Sequence, residues 1–335
     1  MRALIGEPEL HAGLLAGLVG LVLAAGLAAA WSVLRPARPR DSTGPPGLFG
    51  AVFVVATVAG IGGAGPFTEV WPVPARAAVG LIVLWVAGQI GRPGSYRQVV
   101  ATALAIVGGI LLIDSGAEFP AWVIALLVLG PALGGAAAAD VDRRGARSGT
   151  GPLLLGIAVV GLFVTVPDTE LALVLVGVTI PMTLLAWPWP RARLGGGGAY
   201  AAVGIFLWVA TLEGAGRPGS TVGAAAALGV LVLEPVGRTL SARLHAAGAW
   251  GRIAVRPERV ASTGALVAAQ VLAAAWAGRV AGMVRSPTYA LVLAIPAVLG
   301  ALAATTRYRP SDPATPPPRS RSRPGRHGSS STPRP

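Results

Sequence analysis

Any chemistry this chain performs must draw on a short set of residues. Asp114 and Glu118 flank Ser115-Gly116-Ala117, and Asp168 and Glu170 flank Thr169. Carboxylates this close can bind a cation, accept protons, or divide the work of an acid and a base. Glu213 occupies a comparable place later in the chain. The competing reading is structural. Asp, Ser and Thr ahead of a helix satisfy its free N–H groups, and acids there suit the helix dipole. Capping accounts well for Asp168 and Thr169 before Leu171. Asp140 and Asp142 stand beside Arg143 and Arg144. Paired aspartates can hold magnesium and a diphosphate in membrane enzymes of lipid-linked substrates, but no second acidic motif accompanies this pair.

Other chemistries are removed by what the chain lacks. Zero cysteines exclude disulfides, thiol catalysis and thiolate metal sites. The three histidines, His11, His245 and His327, are too scattered for a histidine-rich metal centre. Gly195–Gly198 has no partner lysine for a phosphate and reads as a flexible linker. No serine–histidine pairing or metalloprotease motif is present, so no catalytic residue, cofactor or metal is assigned. All 27 basic residues are arginine, and lysine and asparagine are absent. Both are encoded by A-rich codons, so the usage points to a GC-rich genome.

The elements that must position these groups follow from hydropathy. Of the 335 residues, 12% are charged, where a soluble domain has about 25%. The mean hydropathy is +0.67. Apolar runs of bilayer-spanning type recur at 12–34, 47–63, 77–90, 98–113, 119–138, 152–166, 171–187, 199–212, 221–233, 264–280 and 288–305. The expectation is an all-α polytopic bundle of eleven spans over 1–306, followed by a disordered basic Pro/Ser/Arg tail over 307–335.

Every second connection is rich in arginine, and such loops stay in the cytoplasm. The other connections hold eight of the 14 acids and five of the 27 arginines, leaving −3 on that side and +16 on the other. The alternation closes with the N-terminus outside and the C-terminus inside a bacterial inner membrane. The net charge of +13 is thereby an orientation signal, not a nucleic-acid surface. The expected partner is the bilayer, with anionic lipid at the basic loops and tail, each arginine contributing about 1 kcal/mol near the surface. Glu7 and Glu9 before the first run, and Arg35, Arg38 and Arg40 after it, reverse the polarity of a cleaved signal peptide.

Runs two to eleven pair into five hairpins that open outward. The returning helix of the last four carries a proline after an aliphatic stretch, at Pro131, Pro181, Pro235 and Pro296 in turn. Pro131 follows the outer acid Glu118 by the same length of chain as Pro181 follows Asp168. With a helical rise of about 1.5 Å per residue, both prolines come to lie near mid-membrane. A proline frees a backbone carbonyl, and interrupted helices at corresponding places are a sequence pointer to a transport pathway. Glu234 and Gln270 are the polar side chains that join these prolines as pathway candidates.

Gly161-Leu162-Phe163-Val164-Thr165-Val166-Pro167-Asp168-Thr169-Glu170 resembles a segment of multi-pass actinobacterial membrane proteins with no assigned activity. The resemblance implies class and source, and no mechanism. Leu233-Glu234-Pro235-Val236 is similar to a late-helix segment of drug/metabolite exporters, but the arginine-rich continuation after Gly237 departs from it. The leading expectation is a permease or exporter-like transporter. A non-catalytic scaffold for envelope assembly is the alternative, and a membrane enzyme of lipid-linked substrates a third. On the orientation derived above, a cysteine placed at Glu118 is expected to react with impermeant thiol reagents added outside intact cells. Protection until the cells are permeabilised would reverse the topology.

Overall fold

The computed structural model describes residues 14–15, 17–23, 25–26, 49–64, 75–91, 95–113, 119–144, 150–165, 170–186, 193–213, 227–229, 231–232 and 235. Every regular element among them is helical, which is the all-α class expected. Helical residues within 14–26 form α1. They are followed by α2 (Phe49–Ala64), α3 (Ala75–Ile90), α4 (Tyr96–Leu111), α5 (Ala121–Arg144), α6 (Thr150–Thr165), α7 (Glu170–Ala186) and α8 (Gly195–Glu213). Further helical residues lie within 227–235. Each of α1 to α8 falls on one of the first eight apolar runs, and the 227–235 segment overlaps the ninth. The tenth and eleventh runs, the 236–260 connection and the 307–335 tail lie outside the described residues.

Glycine and valine are poor helix formers in water, yet α2 and α6 are rich in both. Where surroundings are apolar, the backbone has only itself to bond, and propensity yields to that requirement. Two helices, α5 over Ala121–Arg143 and α8 over Gly195–Leu212, are long and apolar enough to cross a membrane. The helices α2, α3, α4 and α6 have 16 residues each and α7 has 17.

Two boundaries differ from the sequence reading. Helix α5 continues to Arg144, so Asp140, Asp142 and Arg143 lie on its last turns and not in a loop. Helix α8 begins at Gly195, so the glycine block is the first turn of a helix and not a flexible linker. The reason is packing, which the composition of four glycines conceals.

Helix α8 is the centre of the assembly. It packs against α5, α3, α2 and α6, and every side chain from Ala199 to Thr211 is buried. Its neighbours bury one side and expose the other. Helix α5 shows Trp122, Ile124, Leu129 and Leu133 outward, and α4 shows Val99, Val107 and Ile110. Helix α3 joins α4 closely, α4 joins α5, and α6 joins α7, whereas α2 and α3 touch lightly and α2 lies mainly on α8 and α7. At the far end of the α3–α4 pair the Arg76 guanidinium donates to the Ile110 carbonyl at 3.3 Å, a cation at the negative end of a helix.

The first turn of α8 enters a slot between α2 and α3 where backbone meets backbone. A Cβ on Gly88 of α3 would run into the Gly196 carbonyl, and one on Gly50 of α2 into the Gly198 Cα. Small residues at these crossings let the helix axes approach and gain dispersion contact. No flexible side chain is present to yield. Gly88→Ala and Gly196→Ala are therefore each expected to cost about 1–3 kcal/mol, the penalty of overpacking, read as a lower thermal midpoint. Gly26→Ala, with nothing within 4 Å among the described residues, is the matched control and should leave the midpoint unchanged or slightly raised.

Candidate functional site

Among the described residues, three polar features stand out in the apolar interior. The first comes from proline. Pro131 lies inside α5 and Pro181 inside α7, and neither has an N–H to give to the carbonyl four residues back. Those carbonyls belong to Leu127 and Gly177. In both cases a glycine of a neighbouring helix lies against the freed oxygen. Gly109 of α4 meets the Leu127 carbonyl, and a Cβ on Gly17 of α1 would stand 2.5 Å from the Gly177 oxygen. A glycine Cα–H can approach such an acceptor, and contacts of that kind contribute about 0.5–1 kcal/mol each.

Pro131 is buried and Pro181 half-buried, and they occupy different seams. Pro131 belongs to the helix between α4 and α8, Pro181 to the one between α6 and α2. Pro235 is half-buried in the 227–235 segment. Val232 of that segment reaches Gly134 of α5, with 3.4 Å between its Cγ2 and a Cβ built there. This brings the segment to within a turn of Pro131. Glu234, Gln270 and Pro296 lie outside the described residues, as do Asp114, Glu118 and Asp168. Glu170 begins α7 and Glu213 ends α8; their side chains also lie outside the described set.

The second feature is a pair of threonines that the sequence reading passed over. Thr57 on α2 and Thr179 on α7 are buried, and neither hydroxyl has a hydrogen-bond partner among the described residues. Other threonines differ. Thr211 donates to the Trp208 carbonyl at 2.8 Å, Thr102 to the Gln98 carbonyl at 2.8 Å, and Thr183 reaches across to the Pro152 carbonyl at 3.2 Å. A threonine in mid-span looks like apolar filler in a hydropathy profile. Its hydroxyl is the signal that could have singled it out.

The third feature sits where α8 begins. Asp142 is 2% exposed. One carboxylate oxygen, Oδ1, accepts the Leu194 N–H at 3.3 Å, and Oδ2 accepts the Gly195 N–H at 3.0 Å. The Arg193 Nε stands 3.7 Å from Oδ2. Gly195 has φ of 68°, a left-handed conformation open to glycine. It turns successive N–H groups toward one anion. Asp142 itself lies at the C-terminal end of α5, where the helix dipole disfavours an acid. The start of α8 and Arg193 supply the compensating positive potential. Beside this cap the Gln98 amide donates to the Tyr200 hydroxyl at 3.2 Å, joining α4 to α8.

The geometry gives Asp142 a structural employment. Its oxygens are turned into the helix start, and no group of three metal-ligating side chains occurs among the described residues. The aspartate pair considered for magnesium and a diphosphate is thus divided, with Asp142 committed to α8. No protein-family model matches the chain, and no curated protein matches it either.

Asp142→Ala removes the acceptor of two buried N–H groups and the partner of Arg193. A loss of about 1.5–3 kcal/mol is expected, the range for hydrogen bonds to a charged group. Asp142→Asn keeps one oxygen acceptor and should lose less. In an Asp142→Ala/Arg193→Ala cycle the double variant should be more stable than the sum of the singles predicts. Simple additivity would mean that the ion pair contributes nothing.

Proposed function

We propose that the chain is a multi-pass inner-membrane permease, exporter-like, with a passage bordered by proline-opened helices. The observation that carries the reading is the pair of carbonyls at Leu127 and Gly177 whose usual donor Pro131 and Pro181 remove, each with a glycine of a neighbouring helix against it. Backbone acceptors at interrupted helices serve transporters as contact points for cargo and ions. A Cα–H cover is exchanged for water or cargo at little cost. Membrane residence draws support from the two span-length helices, from apolar residues on the outward faces of α1, α4, α5 and α7, and from the alternating arginines.

In this reading the chain crosses eleven times, with its N-terminus outside and C-terminus in the cytoplasm. Two-helix hairpins are the repeated unit. The bilayer is its solvent, and anionic headgroups meet the arginine loops. The alternative of an envelope scaffold is favoured by one observation, the glycine seam that locks α8 between α2 and α3. A rigid centre suits a platform better than a moving part.

The native absence of cysteine makes the test direct. Single cysteines at Leu127 and Val178, both fully buried, report on the two seams. Ile180, exposed on the outer face, is the lipid-side control, and Glu118 the aqueous one. A permease should let small impermeant thiol reagents reach Leu127→Cys and Val178→Cys from at least one side, with Ile180→Cys silent. Silence at both seams while Glu118→Cys reacts would give the scaffold reading precedence.

A further inference from the structure

Helices α3 and α4 together turn outward an apolar face that is short for a bilayer. Along α4, Tyr96, Val99, Ala103, Val107 and Ile110 form an exposed stripe at helical spacing, with Arg97 exposed beside Tyr96. On α3 the exposed residues are Arg76, Val79, Ile82 and Gln89. The two helices run antiparallel. A Cβ on Gly80 would lie 3.0 Å from the Gly108 oxygen, and one on Gly91 3.3 Å from the Ala101 Cβ. Arg76 and Ile110 therefore mark one end of the face, and Gln89, Tyr96 and Arg97 the other. From Arg76 to Gln89, as from Arg97 to Ile110, the helical rise gives about 20 Å. The hydrocarbon core of a bilayer is about 30 Å thick.

A short face is accommodated by a thinner bilayer, by stretching of flanking side chains, or by association of copies. Stretching is closed to Arg76, because its guanidinium is held at the Ile110 carbonyl, 3.3 Å away. A charge fixed at that level stays out of the acyl chains only if phosphate comes down to it. Association is opposed as well. A second copy related by an axis along the membrane normal would set Arg76 against Arg76 and Arg97 against Arg97, a costly meeting of like charges. Thinning remains, and it is confined to one side of the bundle. Helix α5, with 24 residues, is about 36 Å long and needs none.

We propose that the α3–α4 face is a docking surface for anionic phospholipids of short acyl chain, their phosphates on Arg76 and Arg97. This surface rests on the multi-pass reading above, and the experiment separates the two. The full chain carries a bimane-labelled cysteine at Ile82, or at Leu129 on the exposed face of α5, and is reconstituted into vesicles. Resistance to extraction by alkaline carbonate establishes insertion. Extraction would remove the multi-pass reading and the surface with it.

Quenching by brominated phospholipids then gives the relative affinity of each face for dimyristoleoyl, dioleoyl and dierucoyl chains, with phosphatidylglycerol or phosphatidylcholine headgroups. The Ile82 label should favour dimyristoleoyl over dierucoyl chains by about threefold or more, from the mismatch penalty. Leu129 should not share that order. Arg97→Gln should weaken the preference for phosphatidylglycerol at Ile82 by about fivefold, the worth of one arginine at an anionic surface. Arg76→Leu should move the Ile82 optimum to dioleoyl chains, and Arg76→Lys should not. The same chain-length order at both labels of an inserted chain would overturn the surface and leave the membrane reading standing. So would an Arg97→Gln variant that keeps the full headgroup preference. If an arginine variant fails to fold, the two labels on the otherwise unaltered chain still decide.

Discussion

A helix that starts inside a bundle brings N–H groups that no earlier carbonyl can accept, and apolar surroundings make each of them expensive. Helix α8 starts in such a place, and its remaining length is the surface on which α2, α3, α5 and α6 pack. Asp142 resolves the difficulty from another helix. Its carboxylate takes two of the N–H groups and meets Arg193, while α8 in turn stabilises an acid that would be misplaced at the end of α5. Each helix terminus supplies what the other lacks. The position of α8 along its axis, and with it the glycine crossings on α2 and α3, follows from this mutual contact.

Proline and glycine divide a second task between them. Proline opens a carbonyl on one helix, and glycine on the neighbour removes the side chain that would hold that neighbour away. The two pairs, Pro131 with Gly109 and Pro181 with Gly17, lie in separate seams but share one construction. The backbone there is approached by glycine, whose Cα–H contact is weak. Such an approach is close without being strong. That combination distinguishes these seams from the α8 cap, where charge-assisted hydrogen bonds hold the parts together.

Much of this was legible in the chain. Apolar runs located the helices because a segment without charge has one way to bury its backbone, and the described helices lie on those runs. The prolines were visible, and so was the carbonyl each must free. What covers that carbonyl was not, because Gly109 and Gly17 belong to other helices. Asp142 was read with its neighbour Asp140 as a local pair, while its real partners, Leu194 and Gly195, come much later in the chain. An acid in the last turn of a long helix was the clue, and it becomes readable once α5 is known to continue to Arg144. The four glycines of α8 misled for a different reason. Their poor helix propensity in water carries no weight where tertiary packing decides. Thr57 and Thr179 went unnoticed since hydropathy averages hide a single hydroxyl among valines and leucines.

The centrality of α8 also bears on how the chain is made. Synthesis delivers α2, α3, α5 and α6 before the helix on which all four converge. While the ribosome translates everything between α2 and α8, the earlier helices have no common partner. Each must remain in place by its own contacts and keep a glycine-lined slot unfilled. The assembly is therefore completed by insertion of a wedge rather than by growth from one end, and its cooperative stability arrives late. A ribosome that stalls before Gly195 would leave helices with correct local structure and no keystone, the form of this protein most exposed to quality-control proteolysis.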